Sequence, residues 1–118
     1  AQFSIVWPNS WDKSTITFKA FFTVTGTNTG SVAWGLAGVA ITDDETINTA
    51  FPTPTVATAK SHSGTSNDLN VTAESGAVTV SGTPANDDMV FFQVNRDVSA
   101  DDQSGDARLL GIKITFII

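Results

Sequence analysis

Met89-Val-Phe-Phe-Gln-Val-Asn-Arg-Asp97 and Ala107-Arg-Leu-Leu-Gly-Ile-Lys-Ile-Thr-Phe-Ile-Ile118, joined by an acidic loop, are the stretches whose reading decides the fold. In the first, Val90, Phe92 and Val94 share one side of a period-two pattern, and Gln93 and Asn95 take the other. In the second, Leu110, Ile112, Ile114, Phe116 and Ile118 alternate with Gly111, Lys113 and Thr115. Alternation of this kind gives each strand one apolar face, so the two segments are expected to line a β-core.

The preceding chain reads the same way. Residues 3–7 form a short strand stopped by Pro8, which cannot donate to a central ladder. Residues 15–25 form a strand with Ile16, Phe18, Ala20, Phe22 and Val24 on one face and Phe21 on the otherwise polar face. Residues 31–42 are apolar on both sides, with Gly35 and Gly38 interposed, which suggests a strand covered twice or approached closely by another backbone. After Asp43-Asp44-Glu45, residues 46–51 have the composition of one helical turn ended by Pro52. Weak strands follow over 55–61, 68–72 with Leu69 and Val71 inward, and 77–81 with Val78 and Val80 inward.

The expected architecture is all-β: an antiparallel two-sheet β-sandwich of about eight strands, a jelly roll or related Greek-key arrangement. An immunoglobulin-like sandwich is the alternative. The 118 residues suit a single domain, with 41% hydrophobic and only 15% charged residues. The scarcity of Leu, Glu, Lys and Arg argues against large helices.

Charge and composition exclude several functions. A net charge of −6 with six scattered basic residues offers no positive footprint for nucleic acid or for anionic membrane surfaces. The absence of cysteine rules out disulfides and thiolate metal sites. His62, the one histidine, lies in a Ser/Gly-rich loop without a paired nucleophile, so no catalytic residue is assigned. Asp43-Asp44-Glu45, Asn86-Asp87-Asp88 and Asp101-Asp102 could supply oxygen ligands to calcium, but none follows the EF-hand pattern. They read as solvated loop acids, and no metal or cofactor is expected.

Three polar or aromatic groupings stand out. Trp7 and Trp11 flank a turn, and could pack into the core, form an interface, or offer a stacking platform to a sugar. Arg96 and Arg108 bracket the acidic loop beside Asp97 and Asp106, a setting for an Arg–carboxylate network that fastens it. Asn70-Val71-Thr72 matches the N-glycosylation sequon, a motif common by chance.

The last third also carries a resemblance. Val78-Thr-Val-Ser-Gly-Thr-Pro-Ala85, Asp88, Val90-Phe-Phe-Gln-Val94, Arg96-Asp97, Asp101-Asp102 and Asp106-Ala-Arg-Leu-Leu-Gly-Ile-Lys-Ile114 resemble a family of β-rich virion proteins of tailed bacteriophages, many from marine hosts. Trp11-Asp12-Lys-Ser-Thr-Ile-Thr17 and Val32-Ala-Trp-Gly-Leu36 are similar to that family's opening strands. The resemblance implies a non-enzymatic structural component of the virion, as head decoration, head fibre or tail fibre. It brings no catalytic residues, and it implies that the chain is a domain of a longer protein. The expected partners are the chain itself, as a homotrimer, and other virion proteins. Phe21, Phe91, Ile117 and Trp11, apolar groups off the core faces, are the candidate interface. The alternative function is a carbohydrate-binding module, a receptor-reading fibre tip that contacts a host surface glycan through Trp7 and Trp11.

Overall fold

A computed structural model describes all of residues 1–118. It contains strands and turns and no helix: β1 (Gln2–Val6), β2 (Thr17–Val24), β3 (Ser31–Val32), β4 (Trp34–Ile41), β5 (Thr55–Val56), β6 (Lys60–Ser61), β7 (Asn70–Val71), β8 (Met89–Arg96) and β9 (Ala107–Thr115). One sheet has the order β1-β8-β4-β5, a second β7-β2-β9, and β3-β6 form a separate two-stranded ladder. All strand pairs are antiparallel.

The alternation that predicts β2 holds throughout, with Ile16, Phe18, Ala20, Phe22 and Val24 all buried. From the other sheet, Val90, Phe92 and Val94 of β8 and Trp34, Leu36 and Ala40 of β4 join the same apolar cluster. The rings of Phe22 and Trp34 lie 5.8 Å apart across it. Phe3, Ile5 and Trp7 near β1 and Leu109, Ile112, Ile114 and Phe116 near β9 complete the core from its open margin, each half-buried.

β4 is buried along its whole length, as its two apolar faces require. Its edge away from β8 is covered twice. β5 pairs with Gly35 and Leu36, and Ser81 forms a bridge at Val39, with Ala40 N–H donating to the Ser81 carbonyl at 2.9 Å. Gly82 follows with φ +85°, and a Cβ there would stand 2.6 Å from the Ala40 carbonyl oxygen, so only glycine fits this turn.

Four expectations are corrected. The chain has nine short strands, because 31–42 breaks at Ala33, 55–61 divides into two pieces, and 77–81 contributes only the bridges of Val78 and Ser81. Residues 46–51 are irregular apart from a turn at 47–48, and no helical turn forms there. In β9 a register shift opposite Phe21 and Phe22 makes Leu110 an extra residue, leaving it 60% exposed while Leu109 and Ile112 turn inward. Ile118 is 86% exposed, beyond the end of the ladder. A β-bulge of this kind flips the phase of alternation at one point.

The fourth correction concerns residues 69–72. Asn70 and Thr72 are buried and Leu69 is 61% exposed, the reverse of the apolar-inward reading. The cause is hydrogen bonding. Thr72 N–H donates to the Ala20 carbonyl and its Oγ1 accepts from Ala20 N–H, both at 3.0 Å. Ser75 repeats the exchange with Phe18, with both bonds at 2.9 Å. Side-chain hydroxyls thus stand in for strand carbonyls along β2. Asn70, which donates to the Asp68 carbonyl, is too enclosed for the sequon to be read in the folded chain.

Thr72→Val keeps the shape and removes the acceptor for a buried N–H. It should destabilise the protein by about 1–3 kcal/mol in urea unfolding, with Thr72→Ser costing less.

Candidate assembly surface

The aromatic residues sort into two groups by the pleat of the strands. Phe21-Phe22 lies on β2, the middle strand of its sheet, and Phe91-Phe92 lies on β8, an interior strand of the other. Successive side chains alternate between faces, so each pair puts one ring in the core and one outside. Phe22 and Phe92 are fully buried, and Phe21 and Phe91 are half-buried on the outer faces. Phe21 is paired across strands with Val71 and Gly111. Phe91 lines two shallow cavities under the 42–51 segment, of about 380 and 430 Å3. Ile117, just past β9, is 57% exposed.

Trp11 does not belong to this surface. It is 3% exposed, with its ring centroid 5.0 Å from Trp7, and Trp7 meets Phe116 and Phe92 edge-on at 5.2 and 6.2 Å. The turn folds back, with Trp11 N–H donating to the Pro8 carbonyl at 3.0 Å and Asp12 N–H to the Ile117 carbonyl at 2.9 Å. Trp11 is therefore spent on packing and offers no face to a sugar, while Trp7 packs on it and stays half-buried. The indole N–H groups of Trp7, Trp11 and Trp34 are buried with no protein acceptor.

The acidic loop is fastened by Arg96, but through a different carboxylate from the neighbours expected. Arg96 Nε and Nη2 donate to Asp101 Oδ2 and Oδ1 at 2.7 and 3.2 Å, the protein's one salt bridge. The remaining guanidinium donors reach the carbonyls of Gln103 (2.6 Å) and Gly105 (3.1 Å). Asp97 instead accepts from Ser99 N–H and Oγ, closing a local turn. Asp106 reaches Arg96 only as a nearby charge, and Arg108 has no carboxylate partner. Sequence adjacency misled here, because the fork of Arg96 faces inward along the loop and meets the residue five positions on.

Around this clamp three loops are laced together. Gln103 Nε2 donates to the carbonyls of Asn28 (2.8 Å) and Gly30 (3.0 Å), and His62 Nδ1 lies 2.9 Å from the Asn28 carbonyl. Asp102 accepts from Ser31 N–H. His62 is thus a buried loop tie. No group of three or more His, Cys, Asp or Glu side chains is arranged to hold a metal ion.

The hydrogen bonds from Arg96 hold the Asp101 carboxyl below the usual carboxylate range and raise Arg96 further. A depressed carboxyl contributes its stability in full above the unfolded value, about 4, and loses it as pH falls through the folded value. Arg96→Ala leaves a buried carboxylate unpaired and should cost about 3 kcal/mol at pH 7. For Asp101→Asn, the stability deficit against the wild type in urea should shrink as pH is lowered below about 4.

Against known proteins, the chain matches no family model, no curated protein and no solved structure.

Proposed function

We propose that this chain is a non-enzymatic structural component of a bacteriophage particle, a capsid decoration or fibre domain that acts by protein–protein assembly. Its β-domain is read as a jelly-roll sandwich, its self-association as a homotrimer, and its further partners as other virion proteins. The observation that carries the reading is the pair of outward rings, Phe21 and Phe91, at interior strands of the two sheets. On β2 the fold needs only the inward residue of the Phe-Phe step, and a polar residue in place of Phe21 would serve an isolated domain as well, whereas an apolar one serves a covered face. Phe91 meets the chain's own 42–51 segment and leaves part of its ring open beside it.

Chain path supports the jelly-roll reading. Successive main strands alternate between the sheets, β1 to β2, β2 to β4, β7 to β8 and β8 to β9, where a meander would stay in one sheet. The resemblance of the last third to phage virion proteins supports the setting. The burial of Trp11 beneath Trp7 weakens the carbohydrate-binding alternative.

Light scattering on a sizing column tests the proposal. The wild type should run at three times the chain mass, and Phe21→Glu or Phe91→Glu should give a folded monomer. A wild type that stays monomeric, or an oligomer unchanged in both variants, would overturn it.

A further inference from the structure

The outer face of the β7-β2-β9 sheet carries charges that work against an isolated domain. Lys19 and Lys113 stand directly opposite one another on β2 and β9. Like charges so placed destabilise a sheet. Arg108, opposite Thr23, lies on the same face. Three of the six basic residues therefore gather here, in a chain with twelve acidic ones, and none of the three has a carboxylate partner. Phe21 lies among them, so the face has an apolar centre and a positive rim.

The complement lies on the outer face of the other sheet. Where β4 ends and β8 begins, a cavity of about 380 Å3 has Met89 and Phe91 in its apolar wall and Asp43, Asp44, Glu45 and Asp87 around it. All four acids are exposed, and none of them is in a salt bridge.

We propose that these two faces are the halves of one contact between copies of this chain, with the Lys19–Lys113 face of one copy docked over the acidic cavity of the next. The inference rests on the self-assembly reading above and names the surfaces that carry it. The patches lie on different sheets, so the contact is heterologous, and each copy offers one of each. Apolar centres meet at Phe21 and Phe91, and rims of opposite sign meet around them. Docking supplies carboxylates to the lysine pair, so an arrangement unfavourable in the monomer becomes favourable in the assembly. Long-range attraction between the rims speeds encounter and makes the contact salt-sensitive.

The test combines stability with association. Lys113→Glu replaces a repulsive cross-strand pair by an attractive one. It should melt higher than the wild type at dilutions where both are monomers, yet self-associate more weakly by on the order of tenfold. Lys19→Glu with Lys113→Glu blocks one face, and Asp43→Lys with Asp44→Lys blocks the other. Each double variant should be monomeric alone, while their equimolar mixture should associate, because the surviving native faces are complementary and the two reversed faces are again of opposite sign.

Association of the wild type that persists in both double variants, or a mixture that stays monomeric, would overturn the face pairing and leave the assembly reading standing. A wild type that is monomeric at every concentration would remove both. If that monomer binds a heparin matrix and Lys113→Glu does not, the face belongs to a polyanion and the proposal fails. Should a double variant not fold, Lys113→Glu alone still decides, since association equal to that of the wild type sinks the pairing.

Discussion

The seating of Phe92 against Gly38 is the constraint on which the two sheets depend. Gly38 is paired with Phe92 across β4 and β8, and a Cβ at this glycine would stand 2.8 Å from the ring. The missing side chain is therefore space that the ring occupies. Phe92 in turn stacks on Phe3 at 5.0 Å and meets Trp7 edge-on. Through Trp7 the packing reaches Trp11 and Phe116. One ring on an interior strand thus ties the first eleven residues to the segment just past β9, regions far apart in the chain. Such contacts close long loops, and the burial of several large rings offsets that entropy.

The same strand ends in the polar counterpart of this column. Four residues after Phe92, Arg96 turns its fork into the 97–106 loop and holds it by one carboxylate and two carbonyls. An apolar column alone would leave the loop backbone to water. The clamp instead gives these carbonyls charged donors, and Gln103 extends the tie to the 28–30 turn. Ser75 and Thr72 apply the same logic beside β2, where a full strand partner is missing and hydroxyls accept in its place. The fold is closed by local substitutes for regular ladders, which is why so many of its strands are only two residues long.

That design explains what could be read from the residues alone. β2 and β8 were legible because each is an unbroken run of alternation whose apolar side meets the core. β9 was legible only beyond Leu110, where Ile112, Ile114 and Phe116 face the core as their alternation implies, since a bulge leaves no mark in composition and inverts the facing of the residues before it. Residues 69–72 were inverted because hydropathy ranks Leu69 and Val71 above Asn70 and Thr72, whereas the buried positions needed hydroxyl and amide groups to satisfy β2. Arg96 was recognisable as a loop clamp, but Asp101 could not be singled out from four nearby acids without the path of the loop. Of the readings open for Trp11, the core one fits and the interface one does not, because the turn brings it under Trp7. The cationic face was illegible for a similar reason: Lys19 and Lys113 are 94 positions apart in the chain, and only strand pairing brings them opposite one another.

The aromatic residues that folding does not consume are the informative ones. Core demand accounts for Phe18, Phe22, Phe92 and the Trp7–Trp11 pair, all tied into one cluster. It does not account for Phe21, the outward member of its Phe-Phe step, while Phe91 is covered only in part by the chain's own 42–51 segment. Nor does it account for a lysine pair that raises the free energy of the sheet holding it. Where a stable domain keeps both an apolar ring and an unpaired like-charge pair on one face, two independent penalties coincide, and covering that face relieves both. A single stray ring is ordinary on a protein surface. The coincidence of the two on the β7-β2-β9 sheet, with a cavity of opposite sign on the other sheet, is what turns surface detail into an argument for assembly.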